Sequence, residues 1–277
     1  MTPTAATRRA ETIRALASLV DAPTAAVGQA LDLDPLDPAD HTEVFAFQAP
    51  PYASVYLDPT GMLGGEVAAR IGGFWQALGY PIPDQPDHLT ALLGLYAALD
   101  ERADEAEGAR QVMLAQARHA LASEHLLPWI GLYLDVIEGL AIGPWDRWAD
   151  LVRSALDHLS PSTDTDTVLS RHLREAPAPL EDWKDVDGLL SPIRSGIVIT
   201  RADLVRCARH SRLGVRLTGR APTLRALIDQ SPDGVRDWLA EHAAGWEQRH
   251  ALRSEADGFW VERAGRLRRH LSPERTR

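Results

Sequence analysis

Three short clusters set polar or aromatic side chains where a helix begins rather than on a helix face. Pro86, Asp87 and His88 directly precede the apolar stripe Leu89, Leu92, Leu93, Tyr96 and Leu99. A carboxylate in a first helical turn is stabilised by the helix dipole by ~0.3 to 1 kcal/mol, and the same field disfavours protonating a neighbouring imidazole. On this reading Asp87 is a fixed anion beside a neutral His88, a pair suited to a guanidinium, which binds carboxylate through paired charge-assisted hydrogen bonds. The plainer alternative makes Asp87 a helix cap and has His88 bond a loop carbonyl. The second cluster is His125, Leu126, Leu127, Pro128 and Trp129, either a contact surface or a hydrophobic staple feeding the core. The third runs from Pro50 to Leu57 and holds Pro51, Tyr52, Ser54 and Tyr56. With Pro59, Gly61, Gly64 and Gly65 following, it reads as an extended loop whose rings must pack on something.

No complete catalytic kit accompanies these clusters. The chain lacks a phosphate-binding glycine loop ending in Lys-Ser/Thr, a GxSxG elbow, an HExxH helix and a dinucleotide fingerprint. A hydrolase using Asp87 and His88, or a metal held with His125, remains as a competing reading. The two histidines lie 37 residues apart with no ligand-rich helix to pair them, which argues against metal. One cysteine, Cys207, forms neither an intrachain disulfide nor a structural zinc site and fits a reducing compartment. A formal net charge of -10 and a pI near 5.4 disfavour nucleic acid and anionic membranes and favour a cationic partner. No apolar run approaches the ~18 residues of a membrane span. Arg8 and Arg9 are followed by an amphipathic helix rather than an apolar export segment, so a mature cytoplasmic protein is expected.

The elements that must position these residues are helical throughout. Helical spacing predicts helices over 8–20, 25–31, 66–78, 86–99, 109–122, 144–159 and one beginning at Pro128, whose buried face is Trp129, Leu132, Tyr133, Val136, Ile137 and Leu140. Gly72 and Gly73 within the third suggest a close helix contact. Ile197 to Thr200 is the one plausible strand. The expected fold is an all-α helical bundle at 1–160, a Ser-, Thr-, Asp- and Pro-rich linker at 161–193, and a helical C-terminal extension at 194–277. That extension carries Arg194, Arg201, Arg206, Arg209, Arg212, Arg216, Arg220 and Arg225 against Asp203 alone among acidic residues in the stretch. Such a patch suits packing or a partner contact, with DNA binding as the less favoured reading.

From about Glu43 to Trp148 the chain resembles the TorD/DmsD/NarJ family of redox-enzyme maturation chaperones. The resemblance is carried, in order, by Pro51-Tyr52-Ala53-Ser54-Val55-Tyr56-Leu57, by Phe74-Trp75 with Gly79, by Pro86-Asp87-His88, and by His125-Leu126-Leu127-Pro128-Trp129. It implies a TorD-like bundle without enzymatic turnover that binds the twin-arginine signal peptide or N-terminal segment of a molybdopterin oxidoreductase catalytic subunit, assisting cofactor insertion and delaying export. It implies a peptide-binding groove at Pro51, Tyr52, Ser54, Tyr56, Pro86, Asp87 and His88, with His125, Pro128 and Trp129 nearby. No stably bound cofactor is implied, only passing contact with the molybdopterin; homodimerisation is left open. The acidic run Asp100, Glu101, Asp104, Glu105 and Glu107 could meet the leader's arginines, or simply be a solvated helix face. Two departures stand out: the family often has tryptophan where Tyr52 and Tyr56 stand, and its chain ends near residue 165. The extension therefore keeps a second reading alive, a transcriptional or signalling adaptor using the Arg-rich helices.

Overall fold

Apolar residues recurring three and four apart give helices whose buried stripes meet one another, and among the described residues every regular element is helical. The computed structural model describes residues 5–157, 169–252 and 258–272. In chain order the helices are α1 (Ala5–Asp21), α2 (Ala25–Ala30), α3 (Pro38–Thr42), α4 (Ala53–Leu57), α5 (Gly65–Ala77), α6 (Leu89–Glu105), α7 (Gly108–Ala120), α8 (Leu127–Leu140), α9 (Trp145–Leu156), α10 (Arg171–Arg174), α11 (Val186–Leu189), α12 (Pro192–Ser195), α13 (Arg201–His210), α14 (Arg220–Gln230), α15 (Pro232–Ala251) and α16 (Gly258–Leu271). They form two compact units. The first takes residues 5–54, 63–157 and 170–172; the second takes Val55–Met62, Leu169 and the described residues from Leu173 on.

In the first unit α1 lies along α6, α6 along α7, and α8 along α9. The indole of Trp148 donates to the Leu16 carbonyl at 3.0 Å and so ties α9 to α1. Phe45 meets Trp145 and Trp148 edge-on, with ring centres 4.8 and 5.5 Å away. Phe45 sits in a π-helical turn, Glu43–Gln48, that continues α3. A second π-helical turn, Leu121–Leu126, joins α7 to α8. Its cause is local: Pro128 offers no N–H and its ring crowds the carbonyl four residues back, so the ladder widens there.

Several expectations are corrected here. The loop over Pro50 to Leu57 contains a short helix, α4, and α6 begins at Leu89 rather than at Pro86. Gly72 is covered by a loop and not by a helix: a Cβ there would meet Ile82 Cγ2 at 3.3 Å and Pro86 Cγ at 3.7 Å, whereas Gly73 faces open space.

The linker is corrected too. Residues 161–168 of it lie outside the described residues, but from Leu173 on it is core of the second unit: Leu173, Leu180, Val186, Leu189 and Ile193 are all buried. Its polar residues act as caps, as where Asp185 accepts from Gly188 N–H at 2.9 Å to start α11. The boundary drawn at 194 therefore moves to about 173.

Ile197 to Thr200 is extended but joins no sheet among the described residues. Side chains satisfy its carbonyls instead. His250 bonds the Gly196 carbonyl at 3.0 Å, Ser195 the Ile197 carbonyl at 3.2 Å, His242 the Val198 carbonyl at 2.9 Å and Arg220 the Ile199 carbonyl at 3.4 Å. Thr200 then opens α13 with a capping box shared with Asp203. Along α15, Trp238, His242, Trp246 and His250 recur every four residues as a column of rings, and α16 packs beside it.

Candidate functional site

The loop before α4 is fixed to the start of α6 by backbone pairing. Tyr52 and His88 form an isolated antiparallel bridge, Ala53 N–H donates to the Asp87 carbonyl at 3.0 Å, and Leu89 N–H donates to the Pro51 carbonyl at 2.8 Å. The Asp87 carboxylate adds a third tie by accepting from Ser54 N–H at 3.1 Å. Ser54 Oγ in turn accepts from Gly64 N–H at 3.0 Å. Asp87 is only 3% exposed. The open anion expected at this position is thus corrected: Asp87 lies outside the first turn of α6, and its charge is directed inward at the loop backbone.

His88 is the N-cap of α6, where its Nδ1 accepts from Thr90 N–H at 3.3 Å. Burial holds its pKa below the ordinary value, with Asp21 and Asp87 pulling the other way. The imidazole is therefore neutral, chiefly through desolvation rather than the helix dipole alone. Because Asp87 faces Ser54 and His88 faces Thr90, the two do not form an acid-base pair. Among the described residues no three His, Cys, Asp or Glu side chains gather as a metal site would need.

What reaches the surface is an edge of the first unit. Tyr52 is partly exposed, its ring edge-on to His88 at 4.7 Å and its hydroxyl donating to Gln85 Oε1 at 2.9 Å. Burial and the nearby Asp87 push the Tyr52 pKa up, so the phenol is neutral. Pro86 is half-buried, and Ile82, 51% exposed, lies with it over Gly72. Asp21, at the end of α1, accepts from Thr90 Oγ1 at 2.9 Å, stands 3.8 Å from His88 Nδ1, and keeps 56% of its side chain exposed. Ile82, Gln85 and Asp21 escaped the sequence reading. Ile82 had a signal, an apolar residue between Pro81 and Pro83, where no helix could bury it.

The remaining candidates do not join this edge. Pro51, Ser54, Pro128 and Trp129 are buried, as is His125. The Trp129 indole donates to the His125 carbonyl at 2.9 Å, and the His125 ring lies 5.1 Å from Phe74 and shares a 3.1 Å hydrogen bond with His172. Burial brings the His125 pKa down to about 4. This cluster is core, as the staple reading had it. Tyr56 belongs to the second unit and is 1% exposed. Burial raises its phenol above the ordinary range, while Arg220 opposes the shift.

Part of the charge is paired within each unit. Of the acidic run, Asp100 is held by Arg9 and Arg118, and Glu101 by Arg14, which leaves the exposed side to Asp104, Glu105 and Glu107. In the second unit Arg194 pairs with Asp185, Arg206 with Asp203 and Arg225 with Asp187, and Arg220 is turned inward to the Ile199 carbonyl. Arg194, Arg206, Arg220 and Arg225, all among the arginines that suggested a basic binding surface, are engaged in this way.

The first unit is thus a helical bundle whose aromatic loop is pinned to the start of α6. Residues 5–135, just under half of the chain, match the family model described as "Nitrate reductase delta subunit". It is also similar to the chaperone protein YcdY of Escherichia coli (strain K12), with 31% identity over 120 residues, which is 43% of this chain and 58% of that protein. The chain thus spans somewhat over half the length of that relative. No helix among the described residues is long and apolar enough to cross a membrane.

Proposed function

We propose that this protein works by holding a polypeptide, without turnover. Its partner is the twin-arginine signal peptide or N-terminal segment of a molybdopterin-dependent oxidoreductase, held in the cytoplasm while the cofactor is inserted and export is delayed. The molybdenum cofactor is in this reading the client's cargo, not a resident group. The observation that carries it is the family match over residues 5–135, the span that also builds the exposed edge of Tyr52, Ile82 and Pro86. The apolar part of a leader can lie on that edge. Its arginines have a carboxylate at hand in Asp21, exposed beside His88, rather than in Asp87. Asp87 serves by holding the loop in place.

The test is fluorescence anisotropy of a labelled peptide carrying two arginines followed by an apolar run, titrated with the full chain. Tyr52→Ala, Ile82→Ala and Asp21→Asn should each weaken binding several-fold, and added salt should weaken it further because part of the attraction is exposed charge. Wild-type affinity in all three variants would remove the edge from the binding site.

A further inference from the structure

A groove of about 370 Å³ opens in the first unit where α1, α6 and α7 meet, and none of the Tyr52, Ile82, Pro86 and Asp21 edge lines it. At its floor is Asp100, whose side chain has no exposed surface. Two cations share this one carboxylate. Arg9 Nε donates to one oxygen at 2.8 Å, and Arg118 donates to the other. The network staples three helices together, but that role needs only one positive charge to neutralise the buried negative one. The Arg9 and Arg118 side chains are 32% and 29% exposed. Each carries five N–H donors, and Asp100 engages only part of them.

The rest of the lining fits a small ligand. Ala6, Ala103 and Ala115 are short enough to leave the space open, Val112 supplies an apolar edge, and Asp104 and Gln111 stand with them. No residue of α7 is buried, so the groove side of that helix is accessible. We propose that this groove binds a small organic oxyanion, a carboxylate or a phosphate, with a short apolar body lying on the alanines. Asp100 sets both forks in position beforehand, and the incoming oxyanion repeats from the solvent side the contact that Asp100 makes from below.

The test uses the full chain and thermal unfolding with glutarate, inorganic phosphate, or sodium chloride at matched ionic strength. A saturable rise in Tm with glutarate, phosphate or both, and not with chloride, is the expected result; which of the two acts identifies the ligand class. Ala115→Met fills the groove while leaving the Arg–Asp–Arg network whole and should weaken the response at least ten-fold. A response equal to that of chloride, or one unchanged in Ala115→Met, overturns the proposal.

Discussion

Residues 50–52 of the first unit, which lead into α4, and 196–199 of the second both leave the helical ladder, and each must satisfy its backbone groups elsewhere. They do so in opposite ways. The first stretch uses backbone: its N–H and C=O groups pair with those of Asp87 and Leu89, so Tyr52 remains turned partly to solvent. The second uses side chains: Ser195, Arg220, His242 and His250 each bond one of four successive carbonyls, while Ile197, Val198 and Ile199 are buried. A segment pinned by backbone leaves its side chains available for contact. One pinned by side chains becomes core, and four residues are committed to holding it.

The contrast breaks most visibly at Gly196. This residue has φ of 76°, and a Cβ there would lie 2.3 Å from Ala264 N, a backbone atom that cannot swing aside. Gly196→Ala combines a strained left-handed backbone with overpacking, and a loss of more than about 4 kcal/mol in urea denaturation is expected. Gly73→Ala, in the first unit and facing open space, should be neutral or slightly stabilising by comparison.

Acid should separate the units next. Burial holds His250 at about 4, against the pull of the Gly196 carbonyl, and holds His125 at about 4 as well. Both are depressed from 6.5, so the neutral ring is the folded form. The stability each contributes is complete above pH 6.5 and is lost as the pH falls toward 4, by roughly 3 kcal/mol per imidazole. His250→Gln should lower stability at neutral pH yet flatten the second unit's share of the acid limb. His125→Gln should do the same for the first. Unfolding followed from pH 7 to pH 4 in the two variants checks both, and an acid limb as steep as that of wild type in either would remove that histidine as its cause.

These features differ in how visible they are in the sequence. The helices were legible because their signal is local: Leu89, Leu92, Leu93, Tyr96 and Leu99 mark one face of α6. The fate of Asp87 was not, because its partner is a backbone N–H 33 residues away, a contact that leaves no trace in periodicity. The same holds for His242 and His250, which read as two polar positions on a long helix until the carbonyls of Val198 and Gly196 are set against them. The second unit's first twenty residues were hidden by composition. Their Ser, Asp and Pro content resembles a linker, although the leucines between them are buried. Of the ten proposed site residues, Tyr52, Pro86 and His88 reach the surface, and the seven buried ones were singled out by motif rather than by exposure.

The smallest expected effect is the most informative about the edge. Asp87→Ala leaves the Ser54 N–H buried without a partner and should cost about 1 to 3 kcal/mol. Asp87→Asn keeps an acceptor in nearly the same place and should cost about 1 kcal/mol or less, since only the charge assistance is lost. If Asp87 acts by holding the loop, leader binding by Asp87→Asn stays within about two-fold of wild type, well short of the loss in Tyr52→Ala. If its carboxylate instead met an arginine of the leader, Asp87→Asn would lose affinity as strongly as Asp21→Asn, and the loss would shrink at high salt. Anisotropy titrations of the three variants at two ionic strengths separate the outcomes, because a positioning role is insensitive to screening and an exposed charge contact is not.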